Sequence, residues 1–335
     1  MQTTFKTTSA ALLAAASLLL AAAPQDAKPA DLKSLKGAIK VDGSSTVYPI
    51  TEAVAEEFNK EAKKVRVTVG ISGTGGGFKR FSAGEIDISD ASRPIKKTES
   101  DGAAKTGVEY IELPVAYDGL TIVVHPKNTW CTALTVDQIK KIYSASGGVK
   151  SWKDIDPSYP DKAIKVYSPG TDSGTFDYFK EVTIGKDGSI RSDISVSEDD
   201  NVLVRGVAGD EGAIGFFGCA YYFENKDKVK AVAVDGGKGP VAVSVDAIEN
   251  GSYAPFSRPL FIYVNRKSAE RAEVSAFIDY YLAKAPELVG EVGYVKLPSS
   301  IYAKVAANWS KRRTGTQFTT PSGEPVTGSL ATVYE

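Results

Sequence analysis

Three short stretches of this chain put hydroxyl and glycine residues where a helix should begin: DGSST (42–46), SGTGGG (72–77) and TDSGT (171–175). Hydroxyls and unpaired amides at a helix start donate hydrogen bonds, and the helix dipole favours negative charge there. Any one of the three could be an ordinary cap. Three together outline a cradle that grips an anion mainly through hydrogen bonds. The candidate donors are Ser44, Ser45 and Thr46, Thr74, Gly75 and Gly76, and Ser173, Gly174 and Thr175. Glycine fills four of the five positions 73–77, which would let backbone amides approach a ligand closely. Arg93 follows a candidate strand and precedes Pro94. Ligands of open α/β sheets bind at such strand ends, and a guanidinium fork suits a tetrahedral oxyanion.

Enzymatic chemistry finds less support. His125 is the sole histidine, so the usual zinc ligand sets are out of reach. There is no G-x-S-x-G elbow for a nucleophilic serine. The GTGGGFK run lacks the order of a nucleotide P-loop. No pair of carboxylates is marked as catalytic by its spacing. A formal net charge of −1 and the lack of a basic run argue against a nucleic-acid surface.

The elements that must hold these residues alternate between strand and helix. VRVTVGI (65–71), GEIDISDAS (84–92), YDGLTIVVHP (117–126), AIKVYSPG (163–170) and GAIGFFG (212–218) have strand composition. Val47, Ile50, Val54 and Phe58 recur at helical spacing after Ser45 and Thr46, which stand at N-cap positions. Phe78 and Phe81 carry the apolar face of a helix expected after the glycine run. Further helices are expected after Thr135 and through Phe176 and Phe179. The best amphipathic helix contains Val274, Phe277, Ile278 and Tyr281. Such alternation implies α/β domains with mostly parallel sheets. Two Pro-flanked extended segments, around 114–120 and 253–260, are the candidate connections between two lobes. The second lobe is then an insertion: the first takes 38–116 and 255–335, the second 117–254.

The first 27 residues read as an export signal. Lys6 precedes an Ala/Leu/Ser run over 10–23, and Ala21, Ala23 and Ala27 offer small-residue cleavage geometry. Cys131 and Cys219 are the only cysteines. In an oxidising compartment an even pair is expected to form one disulfide.

With these residues in view, the chain resembles the phosphate-binding protein of bacterial ABC-type phosphate importers. The likeness is carried by DGSSTVYPITEAVAEEF (42–58), GISGTGGGFKRFSAGEIDISDASRPI (70–95), LPVAYDGLTIVVHP (113–126), LTVDQIKKIY (134–143), SPGTDSGTFDYF (168–179) and GAIGFFGCAYY (212–222). It implies a two-lobed periplasmic-binding-protein fold of type II that closes on inorganic phosphate. It also implies delivery to the membrane permease of an ABC importer, without catalysis or cofactor, by a monomeric protein outside the cytoplasm.

Two positions depart from the family pattern. Ser92 stands where better-known members carry an aspartate that accepts a proton from phosphate, and Pro169 stands where they carry an arginine. The expectation is that Ser92 contributes a hydroxyl and that Arg93 restores the charge, oriented by Asp172. An acceptor that rejects sulfate must then come from elsewhere, with Asp118, Asp172 and a backbone carbonyl as candidates. The alternatives are a binder of another oxyanion, such as sulfate or molybdate, and a secreted phosphoester hydrolase.

Overall fold

The computed structural model describes residues 31–335 apart from Asp172, Lys186, Glu198, Pro325 and Thr327. The export-signal run and Asp172 therefore lie outside the described residues.

The chain begins as a parallel sheet. Strand β1 (Gly37–Gly43) pairs in parallel with both β2 (Val65–Ile71) and β3 (Ile88–Ala91). Parallel neighbours need a crossover connection, and helices α1 (Tyr48–Glu61) and α2 (Gly73–Ser82) supply the two. Ile50, Val54 and Phe58 bury the face of α1 that their spacing predicts. The helix is capped by Val47 without a side-chain bond, so Ser45 and Thr46 belong to the turn before it rather than to its cap. The glycine run is likewise part of a helix, not a loop ahead of one, because α2 starts at Gly73.

Helix α3 (Lys97–Lys105) leads into β4 (Tyr110–Val124), a strand of 15 residues, all buried. The sequence suggests a strand only from 117, with 114–120 as a connection. One uninterrupted strand covers both because its partners change along its length. Residues 110–119 pair antiparallel with β12 (Ser257–Asn265), and residues 120–124 pair antiparallel with β8 (Ala213–Gly218). Pro114, which has no N–H to give, is accommodated where the β4–β12 register shifts opposite Leu260 and Phe261.

Beyond β4 the pattern repeats. Strand β5 (Ala133–Thr135) precedes α4 (Val136–Tyr143), whose N-cap Thr135 exchanges capping bonds with Gln138. Strand β6 (Lys165–Ser168) precedes α5 (Gly174–Thr183), and β7 (Ser195–Val196) precedes α6 (Asp200–Ala208). β6 lies parallel to both β7 and β8. Helix α7 (Cys219–Glu224), strands β9 (Lys230–Ala231), β10 (Ala233–Asp235) and β11 (Pro240–Val241), and helix α8 (Val245–Glu249) complete this half. After β12 come α9 (Ala272–Glu291), α10 (Ser299–Ser310) and α11 (Leu330–Val333).

The main sheet has nine strands along the path β2-β1-β3-β12-β4-β8-β6-β7, with β9 beside β4. Two parallel flanks thus share a central antiparallel pair, β12 and β4. Val274, Phe277, Ile278 and Tyr281 of α9 are fully buried, and Phe277 meets Phe58 of α1 edge to face at 5.2 Å. In the other flank Phe179 of α5 stacks on Phe216 of β8 at 3.8 Å.

The cysteines correct an expectation. Cys131 and Cys219 are free thiols, both buried. Cys219 opens α7 and accepts from Thr121 Oγ1 at 3.1 Å, whereas the Cys131 amide is anchored on Asn128 Oδ1 at 3.0 Å. Burial pushes each thiol up to about 12. An even count does not bring two side chains into bonding geometry.

Candidate functional site

A cavity of about 580 Å³ collects the segments that leave the sheet at its carboxyl ends. Ser44, Ser45 and Thr46 follow β1; Gly73, Thr74 and Gly75 open α2 after β2; Ser92 and Arg93 follow β3. Facing them is one side of α5, with Asp177, Tyr178 and Glu181. The floor receives Arg258 from β12.

The glycines have separate tasks. Gly73 takes φ +75°, a left-handed conformation that side chains disfavour. A Cβ on Gly77 would lie 2.7 Å from Gly43 Cα and 2.8 Å from Ser89 Oγ, so Gly77 lets α2 lie directly on the sheet. Gly75 lines the cavity, and a Cβ there would meet nothing within 4 Å. Amides of the first helical turn have no acceptor within the helix, so the start of α2 presents Thr74 and Gly75 as donors. Thr74 Oγ1 also accepts from the Ser92 amide at 3.1 Å and lies 3.0 Å from Ser92 Oγ, tying the α2 start to the end of β3.

Arg258 is the cation of this site that a strand carries, beside Arg93 and Lys180 in the lining. The β4–β12 register sets it opposite Asp118, and Nε donates to Asp118 Oδ2 at 3.3 Å. Asp118 is buried; burial raises its carboxyl above the ordinary carboxylate range, and Arg258 draws it back. Nη2 of Arg258 donates to Thr46 Oγ1 at 3.3 Å, and Nη1 stands 3.8 Å from Glu181 Oε2. The guanidinium lies over the Tyr178 ring at 3.7 Å, and the Tyr178 hydroxyl donates to Pro255 O. Held on several sides, this arginine loses little freedom on gripping a ligand.

Of the residues expected from sequence, Ser44, Ser45, Thr46, Thr74, Gly75, Ser92 and Arg93 line the cavity. Arg93 is otherwise engaged: its fork closes on Glu99 at 2.8 and 2.9 Å, beside a further bond to Pro94 O. Gly76, Ser173, Gly174 and Thr175 are not in the lining. Ser173 caps α5 by accepting from the Phe176 amide at 3.4 Å. Gly174 packs against the turn after β1, so tightly that a Cβ would sit 2.6 Å from Thr46 Cα. The two helix starts do converge, with Thr46 between Gly174 and Arg258. Asp118, a candidate acceptor in the sequence, is not in the lining and instead accepts from Arg258. His125 lies in a turn, its Nδ1 accepting from the Lys127 amide. Among the described residues no cluster of His, Cys, Asp and Glu could hold a metal ion.

Sequence reading missed Arg258. The only available signal was S-R-P, which occurs at 92–94 and again at 257–259. The second copy lies inside a strand, where neither a cap nor a glycine loop marks it.

Parallel flanks joined by two shared strands, with hydroxyls and a guanidinium lining a cavity at their junction, match the periplasmic-binding-protein fold. The description PBP superfamily domain matches residues 22–285. The chain is 50% identical to the SphX protein of Synechococcus elongatus, over 84% of this chain and 83% of that one. It is 42% identical to the phosphate-binding protein PstS of Staphylococcus saprophyticus, over 82% and 85% respectively. A crystal structure of a possible phosphate binding protein from Planctomyces limnophilus superposes with a TM-score of 0.81 at 45% identity, covering 84% of this chain and all of that one. The chain belongs to the PstS/SphX family of phosphate-binding proteins within the PBP superfamily.

Proposed function

We propose that this protein binds inorganic phosphate outside the cytoplasm and passes it to the permease of an ABC importer. The observation that carries this reading is Arg258, fixed by Asp118 where β4 pairs with β12, with Thr46 Oγ1 on its Nη2 and the hydroxyls of Ser45, Thr74 and Ser92 lining the same cavity. A planar cation among neutral donors suits a tetrahedral oxyanion. The family narrows that oxyanion to phosphate. Arg258, not Arg93, supplies the charge that Pro169 withholds, because Arg93 already serves Glu99. The flanks 38–116 with 255–335, and 117–254, act as lobes that rotate about the shared strands to enclose the ligand, a hinge motion. Ser173, Gly174 and Thr175 then contribute from the second lobe at the contact with Thr46. The protein works as an exported monomer and does no covalent chemistry; the Ala/Leu run at 10–23 supports export. Among the described residues no helix is long and apolar enough to cross a membrane.

Calorimetric titration tests the proposal. Phosphate is expected to bind and equimolar sulfate to leave the isotherm unchanged. Arg258→Gln should weaken phosphate by about 10- to 100-fold, the loss of a charge-assisted bond, and Arg93→Gln by far less. Sulfate displacing phosphate at similar concentration would overturn the choice of anion. Equal losses at the two arginines would overturn the assignment of charge.

A further inference from the structure

We infer that Tyr178 of α5 is a positioning residue of the proposed anion site: its ring is a shelf that sets the tilt of Arg258 and so aims the Nη edge of the guanidinium into the cavity. This rests on the phosphate-receptor reading above. Tyr178 lines the cavity yet is only 3% exposed. Its ring centroid stands 3.7 Å from the guanidinium carbon, which is contact distance for an aromatic face. Its hydroxyl donates to Pro255 O, three residues before Arg258. One side chain thus holds both the backbone leading into β12 and the cation that β12 carries. Helix α5 is itself anchored beside it, because Phe179 stacks on Phe216.

The hydrogen bonds on Arg258 leave one freedom that the ring removes. Nε donates to Asp118 and Nη2 to Thr46 Oγ1, each at 3.3 Å. Bonds of that length along the guanidinium plane settle where the group lies but resist its tilting only weakly. Glu181 Oε2, 3.8 Å from Nη1, is beyond hydrogen-bond range and adds no such restraint. A flat ring against one face stops the tilt. It also keeps water from that face, which strengthens the charge-assisted bonds that the edge can make. Arg93, another cation of the lining, is placed differently: it stands 5.6 Å from the Phe78 ring and is committed to Glu99.

The test is a double-mutant cycle on phosphate affinity, read by calorimetry. Tyr178→Phe keeps the ring and should bind within about twofold of the parent, while losing thermal stability with the Pro255 bond. Tyr178→Leu and Tyr178→Met fill the buried space without a π face and should weaken phosphate by about tenfold. In an Arg258→Gln background the same two changes should cost less than about twofold, because the ring acts through that arginine. In an Arg93→Gln background the full loss should remain. A Phe variant as weak as the Leu variant would overturn the inference. Losses that simply add in the Arg258→Gln background would do so too, as the mark of a merely structural role. If the parent protein fails to bind phosphate, the receptor reading falls and this role with it. If the parent binds and the Leu and Met variants match it, only the shelf is refuted.

Discussion

Asp90 shows how far one residue can depart from its ordinary chemistry. In GEIDISDAS it is a charged residue on the same alternating face as Ile86 and Ile88, and all four residues of β3 are buried. Asp90 Oδ1 accepts from Thr51 Oγ1 at 3.0 Å, and Thr51 is 3.1 Å from the Tyr281 hydroxyl. Among the described residues Oδ2 has no hydrogen-bond partner. Burial pushes its carboxyl up to about 8, with the Thr51 bond opposing and the charge of Asp42 adding to the rise. In the unfolded chain an aspartate titrates near 4. Between those limits the folded protein holds the extra proton, so the stability contributed by this group falls as pH rises from about 4 to about 8 and is level above. Glu112, raised to about 7 by burial, acts in the same direction. Asp90→Asn should therefore lose less of its thermal midpoint than the parent between about pH 5 and about pH 8.5. Identical losses would show that Asp90 is already ionised in the fold. Nothing in a single sequence marks such a shift, because alternation reports which residues share a face and not what later covers it.

At the scale of elements, the glycine run makes a sharper prediction. Helix propensity alone says that Gly→Ala should stabilise α2 by about 1 kcal/mol at either position. Packing separates them. Gly77→Ala would press a methyl on the Gly43 backbone at 2.7 Å, and overpacking of this kind costs about 1–3 kcal/mol. Gly75→Ala has open space and should gain stability while narrowing the cavity. Denaturant unfolding of both variants checks the opposite signs. The helices that prove to span 48–61, 136–143, 174–183 and 272–291 were legible because apolar spacing is a local property, though the cap expected of Ser45 and Thr46 was not found. The start of α2 was not legible, because glycine signals a loop until a neighbouring strand explains why nothing larger fits. Seven of the cavity residues were legible as helix-start and strand-end donors. Arg258 was not, because its role is fixed by a partner 140 residues away, Asp118.

For the molecule as a whole, the thiols give the simplest check. Cys131 and Cys219 are each buried and free, so a thiol reagent should find no reactive group in the native protein and both after unfolding. A reductant should leave the thermal midpoint unchanged. A midpoint that drops on reduction would restore the disulfide. The sequence suggested two lobes through its Pro-flanked segments around 114–120 and 253–260, but how the flanks of the sheet join was not visible there. It depends on a single strand changing partners midway, which no local pattern records. Because β4 runs unbroken from one flank into the other and is buried along its whole length, it has no slack loop to bend. On the hinge reading proposed above, rotation of the flanks is absorbed as torsion spread along a paired ribbon, whose stiffness limits the travel. Such a joint is a flexure rather than a pivot, its ladder to β12 interrupted only where the register shifts between Pro114 and Ala116.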